Sequence, residues 1–163
     1  MSMRTAVITG MFDPFTKGHE DLVRRAAVLF DKVVILVSRN AEKKGFLPEE
    51  VRMEAIRACF PDGSAEPVLL DGLLADFVQR YENPVLVRGA RNGSDFDYEA
   101  QLYAINRELG DLESVVLPSS GALAHVSSTY ARELIRYRKP LADAVPAPAI
   151  EVIERYLHEQ NSH

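Results

Sequence analysis

The chain has a single cysteine, Cys59, among 163 residues, so it can build neither an internal disulfide framework nor a site with several thiolate ligands. Cys59 sits in the amphipathic stretch 51–60 with no histidine near it in sequence, which reads as a small buried apolar residue and not as a nucleophile. No apolar run approaches the ~20 residues that span a bilayer. Residues 1–5 lead straight into Ala6-Val7-Ile8 without a secretory core. A soluble, unprocessed, cytoplasmic protein is expected. There is also no block of positive charge: the 19 basic residues are scattered and the net charge is -5, which excludes an extended nucleic-acid footprint and leaves only a few placed cations for a small anionic ligand. Neither an internal repeat nor a low-complexity segment divides the sequence, and 140–148 is its one proline-rich stretch. One globular domain over residues 1–163 is expected, with a C-terminal helical extension from about residue 140.

What is present is an alternation. Short apolar runs at 5–9, 33–37, 68–70, 85–87 and 114–117 are strand candidates, separated by longer stretches of helical period. Residues 18–30 place Leu22, Val23, Ala26, Ala27, Leu29 and Phe30 in one stripe, opposite Glu20, Asp21, Arg24 and Arg25. Residues 48–60 open with a proline and two glutamates, as a helix N-terminus does, and 73–81 and 95–109 have similar apolar spacing. The predicted architecture is α/β: a single-domain, Rossmann-like, doubly wound fold with a five-stranded parallel sheet flanked by helices. Ligands of such sheets bind outside the carboxyl ends of the strands, so the segments after each strand carry the candidate site.

The first strand runs into Gly10-Met11-Phe12-Asp13-Pro14-Phe15-Thr16-Lys17-Gly18-His19. Gly10 and Gly18 let backbone approach a ligand, Pro14 stiffens the loop, and a helix opening at Gly18 offers free N–H groups and a positive dipole end to phosphate. His19, in the first helical turn, is either a capping or core histidine or a hydrogen-bond donor to a phosphoryl oxygen; the glycine-rich loop beside it favours the second. After the second strand comes the lysine pair Lys43-Lys44. After the fourth comes Arg88-Gly89-Ala90-Arg91, whose two arginines suit the oxygens of one polyphosphate, followed by Asp95, Phe96, Tyr98 and Glu99. After the fifth come Pro118 to Ala124 and then His125-Val126-Ser127-Ser128-Thr129, where three successive hydroxyls exceed what one helix cap needs.

Together these segments resemble the nucleotidyltransferases of the HIGH superfamily. The first loop is similar to the signature Gly-x-Phe-Asp-Pro-x-Thr-x-Gly-His, with Thr16 where related branches carry histidine, the form of the phosphopantetheine adenylyltransferase branch. The segment 88–99 is similar to that branch's Arg-Gly-x-Arg-x-x-x-Asp-Phe-x-Tyr-Glu, and 126–132 to the superfamily's Ile-Ser-Ser-Thr-x-x-Arg, with Val126 for isoleucine. The resemblance implies catalytic roles for His19 and Lys43, with Lys44 as a stand-in for the latter. It implies contacts to phosphopantetheine from Met11, Lys43, Leu74 and Arg88. It implies contacts to ATP from Met11, Phe12, His19, Gly89, Ala90, Arg91, Glu99, Leu123, Ala124, His125, Val126, Ser127, Ser128 and Thr129. Leu73 and Leu74 correspond to the apolar pair that borders the pantetheine arm in the family, a core leucine being the other reading of Leu73, and Glu99 is as readily a solvent-facing helix residue. Three departures stand out: Met11 replaces the usual Thr or Ser and has no donor, Leu123 replaces an aromatic residue, and His125 replaces an apolar or small one.

The implied reaction is in-line attack of the acceptor phosphate on the α-phosphorus of ATP, giving dephospho-coenzyme A and pyrophosphate, with no covalent enzyme intermediate; alignment and charge stabilisation carry the catalysis. Magnesium would travel with ATP, and no carboxylate cluster argues for a permanent metal site. The alternatives are another phosphorylated acceptor or CTP as donor, or a non-catalytic nucleotide-sensing protein. The expected partners are ATP and 4'-phosphopantetheine, not nucleic acid or membrane, and the family implies a homohexamer built as a dimer of trimers.

Overall fold

A computed structural model of the chain describes residues 2–39 and 45–162. Five strands, β1 (Thr5–Gly10), β2 (Lys32–Ser38), β3 (Glu66–Leu70), β4 (Pro84–Ala90) and β5 (Glu113–Pro118), form one sheet in the order β3-β2-β1-β4-β5. All four pairings are parallel. The expected α/β fold with a five-stranded parallel sheet is therefore what the chain adopts. β2 shows why: residues 33–37 are apolar without alternation and buried on both faces, the mark of a strand covered by helices on either side.

The two faces have separate cores. On one, α1 (Lys17–Leu29), α2 (Glu49–Cys59), α5 (Ser128–Arg136) and α6 (Ala147–Asn161) pack over Ala6, Ile8, Ile35 and Val37. Residues Leu141, Ala144 and Val145, in the connector before α6, belong to this same core. On the other face the short α3 (Leu74–Phe77), continued by a 3-10 turn Val78–Arg80, packs over Val7, Val34, Leu36 and Leu86, and the long α4 (Gly93–Gly110) lies against β4, β5 and α3. Cys59 is free and buried, and burial pushes its thiol up to about 11, as suits a small apolar residue.

Several boundaries differ from the sequence expectation. The helix expected over 73–81 is one α-turn followed by a tighter turn, and α4 begins two residues earlier than expected because the Asn92 side chain caps it by accepting from the Asp95 N–H. The apolar stripe of α1 is also narrower than predicted. Val23 and Ala26 are buried, whereas Ala27 and Leu29 lie on the flanks of the helix and are exposed. At the far end of α4, a Cβ on Gly110 would stand 2.7 Å from Ala75 Cβ, so a glycine is what lets α4 meet α3.

Candidate active site

Sheet order reverses between β1 and β4, which splits their carboxyl ends and opens a crevice there. A cleft of about 330 Å³ occupies this point, walled by the ends of β1 and β4, the first turns of α1 and α5, and Glu99 of α4. The loop leaving β1 is held in a costly shape. Phe12 is 2% exposed at φ 49, a left-handed conformation that a bulky residue adopts only when its surroundings enforce it. A Cβ on Gly10 would press on the Phe12 ring at 3.2 Å, so the glycine makes room for that side chain. Beyond it, the buried Asp13 carboxylate accepts from the N–H of Phe46 at 2.7 Å and of Leu47 at 2.8 Å, fastening the loop to the segment ahead of α2.

His19 is set by the cap of α1. Thr16 is the N-cap, its hydroxyl accepting from the His19 N–H, while the Thr16 backbone N–H donates to His19 Nδ1 at 3.0 Å. A backbone amide can only donate, so Nδ1 accepts and the ring proton sits on Nε2. The imidazole stacks on Phe15 at 5.6 Å and meets the edge of Phe12 at 4.9 Å. Burial among these rings, and secondarily the nearby Arg88 cation, lower its pKa to about 4. His19 on the cleft wall is thus a neutral imidazole offering an Nε2–H donor, not an imidazolium.

Arg88 crosses the opposite wall. Its Nε donates to Glu99 Oε2 at 2.8 Å and its Nη2 to Oε1 at 3.1 Å, while Nη1 donates to the Thr9 carbonyl at 3.1 Å and hydroxyl at 2.8 Å. Glu99 is therefore buried, 8% exposed, and the solvent-facing reading of it is corrected: the guanidinium compensates its charge. Arg91, at the rim, folds back on Asp95 at 3.1 Å instead of reaching in beside Arg88. A Cβ on Gly89 would make only ordinary 3.8 Å contacts with Leu22 and Ser119, so packing does not demand this glycine; its bareness widens the cleft.

The third wall is the start of α5. Ser127 caps it by accepting from the Tyr130 N–H at 3.0 Å, and the Ser128 hydroxyl donates to the Pro14 carbonyl at 2.9 Å. Arg132 ties the same helix to the first loop through the Asp13 carbonyl at 2.9 Å and to the Thr129 hydroxyl at 3.1 Å. The N-termini of α1 and α5, each with backbone N–H groups that no intrahelical carbonyl can take, are thereby both fixed at the cleft.

Of the residues singled out in the sequence, Phe12, His19, Arg88, Gly89, Arg91, Glu99, Leu123, Val126, Ser127 and Ser128 line the cleft. Met11, Leu74, Ala90, Ala124, His125 and Thr129 do not form its walls. The Met11 carbonyl accepts from Arg52 at 2.6 Å, Leu74 packs at the edge of the α3 core while Leu73 is exposed, and His125 turns to Asp143 at 3.1 Å. Lys43 and Lys44 lie outside the described residues. Thr9, Asp21, Leu22 and Arg25 also line the cleft without having been singled out for the site, as do Ser119 and Ser120 of the segment expected there after β5. Helical spacing from Gly18 would have found Leu22 and Arg25, and the strand-end rule would have found Thr9.

Comparison with known proteins agrees with this geometry. The cytidylyltransferase-like family model matches residues 7–134. The chain is 41% identical to a phosphopantetheine adenylyltransferase of Streptococcus gordonii, covering 99% of this chain and 100% of that one. It is 40% identical to a phosphopantetheine adenylyltransferase of Kocuria rhizophila, covering 93% and 99% respectively. Among solved structures, a putative nicotinate-nucleotide adenylyltransferase from Vibrio parahaemolyticus superposes with a TM-score of 0.71 at 16% identity, covering 94% of this chain and 93% of that one, a likeness of fold.

Proposed function

This chain belongs to the phosphopantetheine adenylyltransferase family of cytidylyltransferase-like proteins, and we propose that it transfers the adenylyl group of ATP to 4'-phosphopantetheine, giving dephospho-coenzyme A and pyrophosphate, a late step of coenzyme A biosynthesis. The observation that carries this reading is one cleft in which a neutral Nε2–H donor, a positioned guanidinium and two helix N-termini converge.

In the reaction an oxygen of the acceptor phosphate attacks the α-phosphorus of ATP, a new P–O bond forms, and the bond to the pyrophosphate oxygen breaks. His19 Nε2–H donates to a non-bridging oxygen of the transferring phosphoryl, where charge builds, without giving up its proton. Arg88 holds the acceptor phosphate, offsetting the repulsion between two anions brought into line. The α1 and α5 N-termini, with the Ser127 hydroxyl, receive the charge that grows on the leaving pyrophosphate. Lys43 is assigned to the reacting phosphoryl from the family resemblance alone. Magnesium would travel with the triphosphate and offset part of its charge. Among the described residues no three His, Cys, Asp or Glu side chains are grouped so as to hold a metal ion.

The proposed assembly is a homohexamer. On α4, Tyr98, Ile105 and Leu109 fall seven and four residues apart on one stripe, and each is more than half exposed, which supports burial against another copy. No helix among the described residues is long and apolar enough to cross a membrane; the proposed location is the cytoplasm. The deciding assay is pyrophosphate release with ATP, magnesium and 4'-phosphopantetheine, beside a no-acceptor control and His19→Ala. Acceptor-dependent release that collapses in the variant is expected; ATP binding without release would overturn the reading.

A further inference from the structure

Thr9 is the last side chain that β1 presents at the cleft, Gly10 having none. Its hydroxyl accepts from Arg88 Nη1 at 2.8 Å. A hydroxyl that accepts retains its own proton to donate, and among the described residues nothing takes that proton. Arg88 itself is nearly saturated: of the five N–H groups of a guanidinium, four are spent on Glu99 and Thr9, which leaves one on Nη2. The neighbouring side chain on the loop, Met11, has no donor, and its carbonyl is already bound by Arg52. An anion drawn to Arg88 therefore meets two donors on this wall, the remaining Nη2–H and the Thr9 O–H.

We propose that the Thr9 hydroxyl donates a hydrogen bond to the acceptor's phosphate, sharing it with Arg88 and making Thr9 a substrate-binding residue. The inference rests on the function proposed above, in which the phosphate belongs to 4'-phosphopantetheine. Valine is nearly isosteric with threonine and suits a strand, and the Thr9 carbonyl would still hold Arg88 Nη1, so Thr9→Val removes the hydroxyl while leaving the strand and most of the Arg88 network in place.

Titration calorimetry of the wild type, Thr9→Val and Thr9→Ser with 4'-phosphopantetheine, with phosphate-free pantetheine and with ATP tests this. Thr9→Val is expected to weaken 4'-phosphopantetheine about tenfold or more, the scale of a lost charge-assisted hydrogen bond. Pantetheine and ATP binding stay unchanged, the thermal midpoint stays near that of the wild type, and Thr9→Ser binds as the wild type does. If Thr9→Val binds 4'-phosphopantetheine like the wild type, or loses pantetheine equally, the role of Thr9 is overturned while the function stands. A wild type that binds no 4'-phosphopantetheine overturns both.

Discussion

Arg88 and Glu99 meet in a two-point ion pair, at 2.8 Å and 3.1 Å, with the carboxylate side chain 9% exposed and the guanidinium 25% exposed on the wall of the cleft. Each is the other's compensation: a carboxylate so little hydrated needs the cation, and the cation needs a fixed partner to be aimed. Removing either alone exposes this dependence. Arg88→Met leaves the Glu99 charge unpaired beside a site for anions, and a loss of about 3–5 kcal/mol in unfolding free energy is expected. Adding Glu99→Gln to it restores most of that stability but no activity. Urea unfolding of the single and double variants, set against acceptor-dependent turnover, checks the split.

The pH behaviour of His19 follows from its lowered pKa. Burial and Arg88 bring it to about 4, against an ordinary 6.5, so the folded chain holds the neutral form through the range where a free histidine would charge. The unfolded chain takes up the proton first as pH falls below 6.5; the stability owed to this group is complete above that value and is lost as pH drops toward about 4. Turnover accordingly shows no limb at 6.5 from His19. A nitrogen-15 titration of the imidazole is expected to find the Nε2–H form at about pH 6 and midpoint protonation near 4.

His19→Ala removes a donor aimed at developing charge, and a fall of about 10²–10³ in kcat is expected, with ATP affinity nearly unchanged. Steady-state kinetics together with nucleotide titration separates the two effects.

Asp13 offers a structural prediction. Its two oxygens each accept from one backbone N–H, of Phe46 and of Leu47. Asn at this position turns one acceptor into a donor facing a donor, and Asp13→Asn should cost about 1–3 kcal/mol by urea unfolding.

Gly110→Ala drives a methyl to within 2.7 Å of Ala75, in a contact between two helices with no flexible side chain to yield. A loss of about 1–3 kcal/mol, seen as a lower thermal midpoint, is expected.

Much of this was legible in the chain itself. The uninterrupted apolar run 33–37 announces a doubly covered parallel strand, and Thr16 followed by His19 at N3 is a capping pattern visible as spacing. Local rules did not reach the facts made by long-range contact. Glu99 looks like any helical glutamate until Arg88, on a strand 11 residues earlier, is brought beneath it. Thr9 looks like a strand residue until the same arginine turns toward it, and Arg91 looks like a second phosphate ligand until Asp95, one turn on, takes its guanidinium. The position of His125 in a nucleotide-binding motif was plain, but not that Asp143, 18 residues away, draws its ring outward.

The partner that fixes the tautomer of His19 is the amide nitrogen of Thr16, a group every residue but proline possesses. The threonine hydroxyl can be exchanged without dislodging the imidazole proton from Nε2, whereas Thr16→Pro deletes the N–H itself. The tautomer at the centre of the site is thus inherited from the path of the main chain, whereas the low pKa that keeps the ring neutral is owed to burial among its neighbours and to Arg88.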